Sequence, residues 1–135
     1  MILIVCVDDH NGMMFNHRRQ SQDRVLRADI LELTDGKKLW MNAYSRKQFA
    51  ESDAEKIRVD ETFLDAAGDG EFCFVENADV SGCVERIEEI YLYHWNRDYP
   101  ADVYFPVDLS VWKCVETKEF AGSSHEKITR ERYTR

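Results

Sequence analysis

"MILIVCV", residues 1–7, is an unbroken run of seven apolar residues. Alternating apolar and polar residues would mark a strand with one wet face, whereas an unbroken run marks a strand covered on both faces. Such a strand belongs in the middle of a mostly parallel sheet. The run stops at "DD" (8–9), and "HNGMMFNHRRQ" (10–20) reads as a loop feeding the next element. A helix is expected over 22–34, "QDRVLRADILELT", because Val25, Leu26, Ile30 and Leu33 approximate one face. Ser21 stands where an N-cap belongs.

The same reading carries through the chain. "KKLWMNA" (37–43) is a second strand, "YSRKQFAE" (44–51) a short helix, and "KIRV" (56–59) a short strand. Asp60 can cap a helix in "ETFLDAAG" (61–68), and "EFCFVEN" (71–77) is another buried strand. "VSGCVERI" (80–87) is a weak helix interrupted by Gly82, and "EEIYLYHW" (88–95) is an aromatic strand. "VWKCVETKEF" (111–120) and "HEKITRERYT" (125–134) flank "AGSS" as an antiparallel hairpin. Strands alternating with helices predict an α/β fold: a single three-layer domain over residues 1–135. Its sheet is mostly parallel and twisted, with the hairpin antiparallel at one edge.

Composition narrows the function. With 26 acidic and 18 basic residues the net charge is −8, which opposes a nucleic-acid or membrane-surface partner. "MILIVCVDD" lacks a basic flank and meets carboxylates at once, unlike a secretory signal, so a cytoplasmic protein is expected. Cys6, Cys73 and Cys114 lie in apolar, strand-like runs and read as buried thiols. The four histidines form no ligand pair with metal spacing, so no metal is expected.

The order of these pieces resembles the dihydrofolate reductase-like family, which includes the reductases of riboflavin biosynthesis. The resemblance rests on "ILIVCVDD", Gly12-Met13 and Asp23 at the start of the first helix, and on "LWMNAYSRKQF". It also rests on "EEIYLYHWNRDYPADVYFP", with Asp102, Phe105 and Pro106, and on "FAGSSHEKITRERY". It implies a small enzyme that moves hydride from NADPH to a pterin-like heterocycle. On that resemblance Asp23 is the catalytic acid, Met13, Arg18, Arg19 and Tyr93 meet the substrate, and Gly12, Ser45 and Asn77 meet the cofactor.

Each residue also has a plainer reading. Asp23 can simply cap its helix, Arg18 and Arg19 can be a solvated loop, and Gly12 can supply a positive-φ turn. Tyr93 fits a strand that packs its aromatic residues on one face. Departures from the family matter too. The family carries Gly-Arg before Ser45, where this chain has Asn42-Ala43. It carries Gly-Gly after the strand that ends near residue 75, where backbone approaches the cofactor's diphosphate. Here Glu76-Asn77-Ala78 stand in that place, putting a carboxylate where phosphate would lie. The second expectation is therefore a non-catalytic small-ligand-binding module that kept the fold and lost the cofactor site.

Overall fold

The computed structural model describes residues 1–49 and 55–135. Strand β1 (Ile2–Val7) lies parallel between β6 (Phe72–Val75) and β7 (Glu89–His94), as its apolar run requires. β4 (Leu39–Met41) pairs parallel with β6 and with β5 (Ile57–Val59). On the other side, β10 (Ile128–Thr134) runs antiparallel to β7 and to β9 (Lys113–Phe120). The seven-stranded sheet thus has the order β5-β4-β6-β1-β7-β10-β9. It is parallel in its first five strands and closes on the expected hairpin.

Successive residues of β1 feed opposite cores, as the period of two demands. Ile2 and Ile4 join Phe72, Phe74, Tyr91 and Tyr93 on one face, covered by Leu26 and Ile30 of α1 (Arg24–Leu33). Leu3, Val5 and Val7 join Cys73, Val75, Ile90 and Leu92 on the other. That second face is closed by Phe63 of the four-residue α3 (Phe63–Ala66) and by Val80, Ile87, Phe105, Val107 and Trp112. Its covering layer is therefore mostly loop.

Several expectations are corrected. Residues 10–20 are not a plain loop. β2 (Gly12–Phe15) and β3 (Arg18–Arg19) form a hairpin, and β8 (Val103–Tyr104) adds a third strand to this small sheet. Its turn, Asn16-His17, has φ of 50° and 62°, the left-handed pair that a two-residue hairpin turn needs. α1 starts at Arg24 and its N-cap is Asp23, not Ser21. The Asp60 carboxylate binds the Thr62 amide just outside α3 rather than capping it. In "VSGCVERI" only Val84–Arg86 is helical, as one 3₁₀ turn, because Gly82 and the β-branched residues cannot sustain more. "YSRKQFAE" splits into α2 (Ala43–Arg46) and a 3₁₀ turn, Lys47–Phe49, while residues 50–51 lie outside the described residues. Cys114 is exposed on the edge strand, whereas Cys73 is buried and its thiol is pushed up to about 12 by burial.

Candidate functional site

The site is assembled where β1 and β6 end. Leaving β1, the chain turns on Asp8, a carboxylate only 1% exposed. Asp8 accepts from the amides of His10 (2.8 Å) and Gly12 (2.7 Å) and from Gln20 Nε2 (2.9 Å). Burial pushes the Asp8 carboxyl up, but these donors outweigh it and hold the group low. Gly12 is needed here for close approach rather than for a positive φ. A Cβ at this position would stand 2.6 Å from Ala101 Cβ and 2.8 Å from Asp8 Oδ2. Across the hairpin, Asp102 accepts from the Asn16 amide at 3.0 Å and donates its own amide to the Met14 carbonyl. The loop after β7 thereby fixes the hairpin.

Arg19 reaches from the hairpin to the end of β6. Its Nε and Nη2 fork onto Glu76 at 2.8 and 3.0 Å, and its guanidinium lies 4.4 Å from the centre of the Tyr44 ring. The Arg19 amide binds the Tyr44 hydroxyl at 2.8 Å, and Gln48 Nε2 adds a third donor to Glu76 at 3.1 Å. Glu76 is only 9% exposed. Its carboxylate therefore faces a bidentate cation, which corrects the expectation that it confronts an incoming phosphate uncompensated. Arg19 is likewise not free for a ligand. Beside the fork, Asn77 Oδ1 accepts from Asn42 Nδ2 at 2.7 Å, and Asn42 caps α2 through the Ser45 amide. Ser45 is buried, and its hydroxyl oxygen has no hydrogen-bond partner among the described residues.

Asp23 does not point into an open cleft. Its carboxylate is buried and accepts from Val25 and Leu26 of its own helix, from the Ser123 and Ser124 amides, and from His125 Nδ1 at 3.0 Å. Burial raises this group, yet the Ser123 amide, His125 and the other amides hold it well below the usual carboxylate range. Gly122 makes the approach feasible, since a Cβ there would lie 2.4 Å from Asp23 Oδ2. An ionised Asp23 can only accept, so His125 Nδ1 is the donor of this bond, and in the neutral imidazole Nε2 is then the acceptor. Nε2 meets the Tyr99 hydroxyl at 2.9 Å and Ser21 Oγ at 3.2 Å, and the ring stacks on Trp95 at 4.6 Å.

Tyr93 and Met13 also depart from their expected places. Tyr93 is fully buried and donates to Asp29 at 2.6 Å, while Lys118 and Arg130 bind the same carboxylate at 2.7 and 2.8 Å. Burial and the Asp29 charge push the phenol up. Met13 and Met14 both lie in the core, and of the two it is Met14 that also borders a cleft of about 350 Å³ with His17, Asn77, Asp102 and Val103. Arg18 is exposed at the rim of a neighbouring cleft of about 280 Å³ that Phe15, Asn16, Arg19, Gln20 and Tyr99 also line. Sequence reasoning missed Asp8, Asp29 and His125. Asp29 alone left a signal, as a carboxylate on the apolar stripe of Leu26 and Ile30. Among the described residues no cluster of His, Cys, Asp and Glu could hold a metal, and no helix is long and apolar enough to cross a membrane.

No family model matches the chain, and no curated protein matches it by sequence. Among solved structures it is similar to the dihydrofolate reductase from Enterococcus faecalis complexed with NADP(H) and RAB-propyl. That likeness has a TM-score of 0.71 and 12% identity, covering 99% of this chain and 95% of that one. The chain has a dihydrofolate reductase-like fold.

Proposed function

We propose that this protein binds a small anionic ligand at the carboxyl ends of its parallel strands and has given up hydride transfer from a nicotinamide cofactor. The observation that carries this reading is the Arg19–Glu76 fork. On the resemblance, backbone there should lie bare beneath the cofactor's diphosphate. In this chain side chains occupy the place, tied to one another by the fork and by the Asn42–Asn77 bond. Opening it would break a mostly buried bidentate pair, at a cost of about 1–3 kcal/mol drawn from cofactor affinity. The remaining cation, Arg18, stands at the rim of a cleft walled by Phe15 and Tyr99, which suits a planar ligand carrying a carboxylate or phosphate.

Calorimetry with NADPH tests the reading, which expects a Kd of about 100 μM or weaker. A submicromolar value would overturn it. A thermal-shift screen with NADH, folates and flavins looks for the ligand itself, since a ligand at a hundredfold excess over Kd adds ~2.7 kcal/mol of stability. A second reading, NADPH-dependent reduction of a pterin-like heterocycle, is favoured by the likeness to a reductase complexed with NADP(H). It would use Gly12, Ser45 and Asn77 for the cofactor and Met13, Arg18, Arg19 and Tyr93 for the substrate. The same calorimetry separates the two.

A further inference from the structure

We propose that Ser21, His125 and Asp23 form a nucleophilic relay that cleaves a small carboxylic ester. The fold and the cofactor question do not require this cluster to be reactive, so the inference goes beyond the reading above. Three observations support it. Ser21 Oγ lies 3.2 Å from His125 Nε2, and Asp23 Oδ2 lies 3.0 Å from His125 Nδ1, the connectivity of a nucleophile, a general base and the carboxylate that orients it. Asp23 is held ionised by the Ser123, Ser124, Val25 and Leu26 amides, so the neutral imidazole keeps the tautomer whose Nε2 lone pair is shared by the Ser21 and Tyr99 hydroxyls. Stacking on Trp95 fixes the ring plane. His125 is only 4% exposed, whereas Ser21 is partly exposed, which places the reactive oxygen at the surface and the base behind it.

A substrate has a place to lie. The cleft lined by Gln20, the residue before Ser21, and by Tyr99, which shares Nε2, carries Arg18 at its rim. The matching substrate is an ester bearing an anionic group for that guanidinium. In the first half-reaction Ser21 Oγ attacks the ester carbonyl carbon and its proton passes to His125 Nε2. The carbonyl–oxygen single bond then breaks, and the leaving alcohol takes that proton. In the second half, water attacks the acyl-serine and gives its proton to Nε2. The acid departs and Ser21 recovers the proton. Ester and water become acid and alcohol, with no other reactant. Asp23 is a positioning residue, acting through His125.

The test is covalent labelling of the full chain with a fluorophosphonate probe, read by peptide mass spectrometry. An adduct on Ser21 is expected, formed at least about a hundredfold faster than on the exposed Ser81, the scale of general-base assistance. Ser21→Ala should lose it with an unchanged circular dichroism spectrum. Asp23→Asn should slow labelling of the folded fraction, an effect that a purely structural cap would not have. Because variants of the buried pair can fail to fold, Ser21→Cys provides a second readout. The thiol it introduces should react with iodoacetamide faster than the exposed Cys114. Equal labelling of Ser21 and Ser81, or an introduced thiol no faster than Cys114, overturns the relay.

Discussion

Asp23 and Glu76 are both buried carboxylates, and their partners differ in kind. Asp23 is bound mostly by backbone amides drawn from its own helix and from the hairpin loop about a hundred residues later. Among the described residues Glu76 is bound by side chains alone, those of Arg19 and Gln48. Backbone donors cannot move away without unfolding a segment, so Asp23 closes the fold. Side-chain donors can swing to water, so Glu76 sets what a ligand meets at the end of β6. One carboxylate is held by the fold's own backbone and the other by movable side chains, although in the sequence both read as site residues or site obstacles.

The largest expected effect follows from the first half of that contrast. Asp23→Ala should cost about 3–5 kcal/mol, because it leaves buried amides and His125 without their acceptor. Urea denaturation measures it, and a loss below about 1 kcal/mol would erase the difference between the two carboxylates. Glu76→Gln should cost less, about 1–3 kcal/mol, since Arg19 is 21% exposed and can be hydrated. The opposite order would mean that the fork, not the cap, holds the loop.

Acid sharpens the same comparison. Burial raises Asp8, Asp23 and Asp29, but their hydrogen bonds and ion pairs win and hold all three below their ordinary values. A depressed carboxyl stabilises the fold above its unfolded pKa, near ~3.9, and that contribution fades as pH falls through the folded value. Stability should therefore be flat from neutrality to about pH 5 and decline steeply below about pH 4. In Asp23→Asn the decline should be shallower, as measured by urea midpoints across that range.

Legibility of the sequence follows the same division. The order of strands comes from apolar runs and turn residues, signals that act within a few positions. The hairpin of residues 12–19 escapes because its pattern, "GMMFNHRR", lacks the glycine that usually marks a two-residue turn. Asn16 and His17 adopt the left-handed region instead. His125 escapes because its meaning depends on Asp23, 102 positions away. Asp23 is legible at the helix start, but local sequence cannot say whether such a carboxylate faces solvent, ligand or another loop. The departure at Glu76 is visible and its partner is not, because Arg19 reaches it only through the turn of the hairpin.

Removing the fork's negative half tests the site more directly than its stability. Glu76→Ala leaves Arg19 beside Arg18, with Asn77 still tied to Asn42. Affinity for inorganic pyrophosphate should then rise about tenfold at low ionic strength, the equivalent of ~1.4 kcal/mol for a newly available charge-assisted bond. The gain should shrink toward nothing near 1 M salt, where the Debye length falls to about 3 Å. Glu76→Gly with Asn77→Gly should raise NADPH affinity further by also removing bulk. If neither anion binds more tightly, the end of β6 is closed by shape rather than by the Arg19–Glu76 pair.

The smallest effect is expected at the neighbouring arginine, and it isolates what the hairpin contributes. Arg18 and Arg19 are adjacent on a two-residue strand, so their side chains leave opposite faces. Arg19 turns inward to Glu76, while Arg18 is exposed at the rim of the cleft beside Phe15 and Tyr99. Arg18→Ala should leave stability within about 0.5 kcal/mol of the parent, as for a surface residue that makes no special contact. Arg19→Ala should cost about 1–3 kcal/mol by stranding Glu76. For any anionic ligand found in the screen, Arg18→Ala should weaken binding at low salt and make little difference at high salt. A stability loss at Arg18 comparable to that at Arg19 would show that the two positions are not divided between inside and outside.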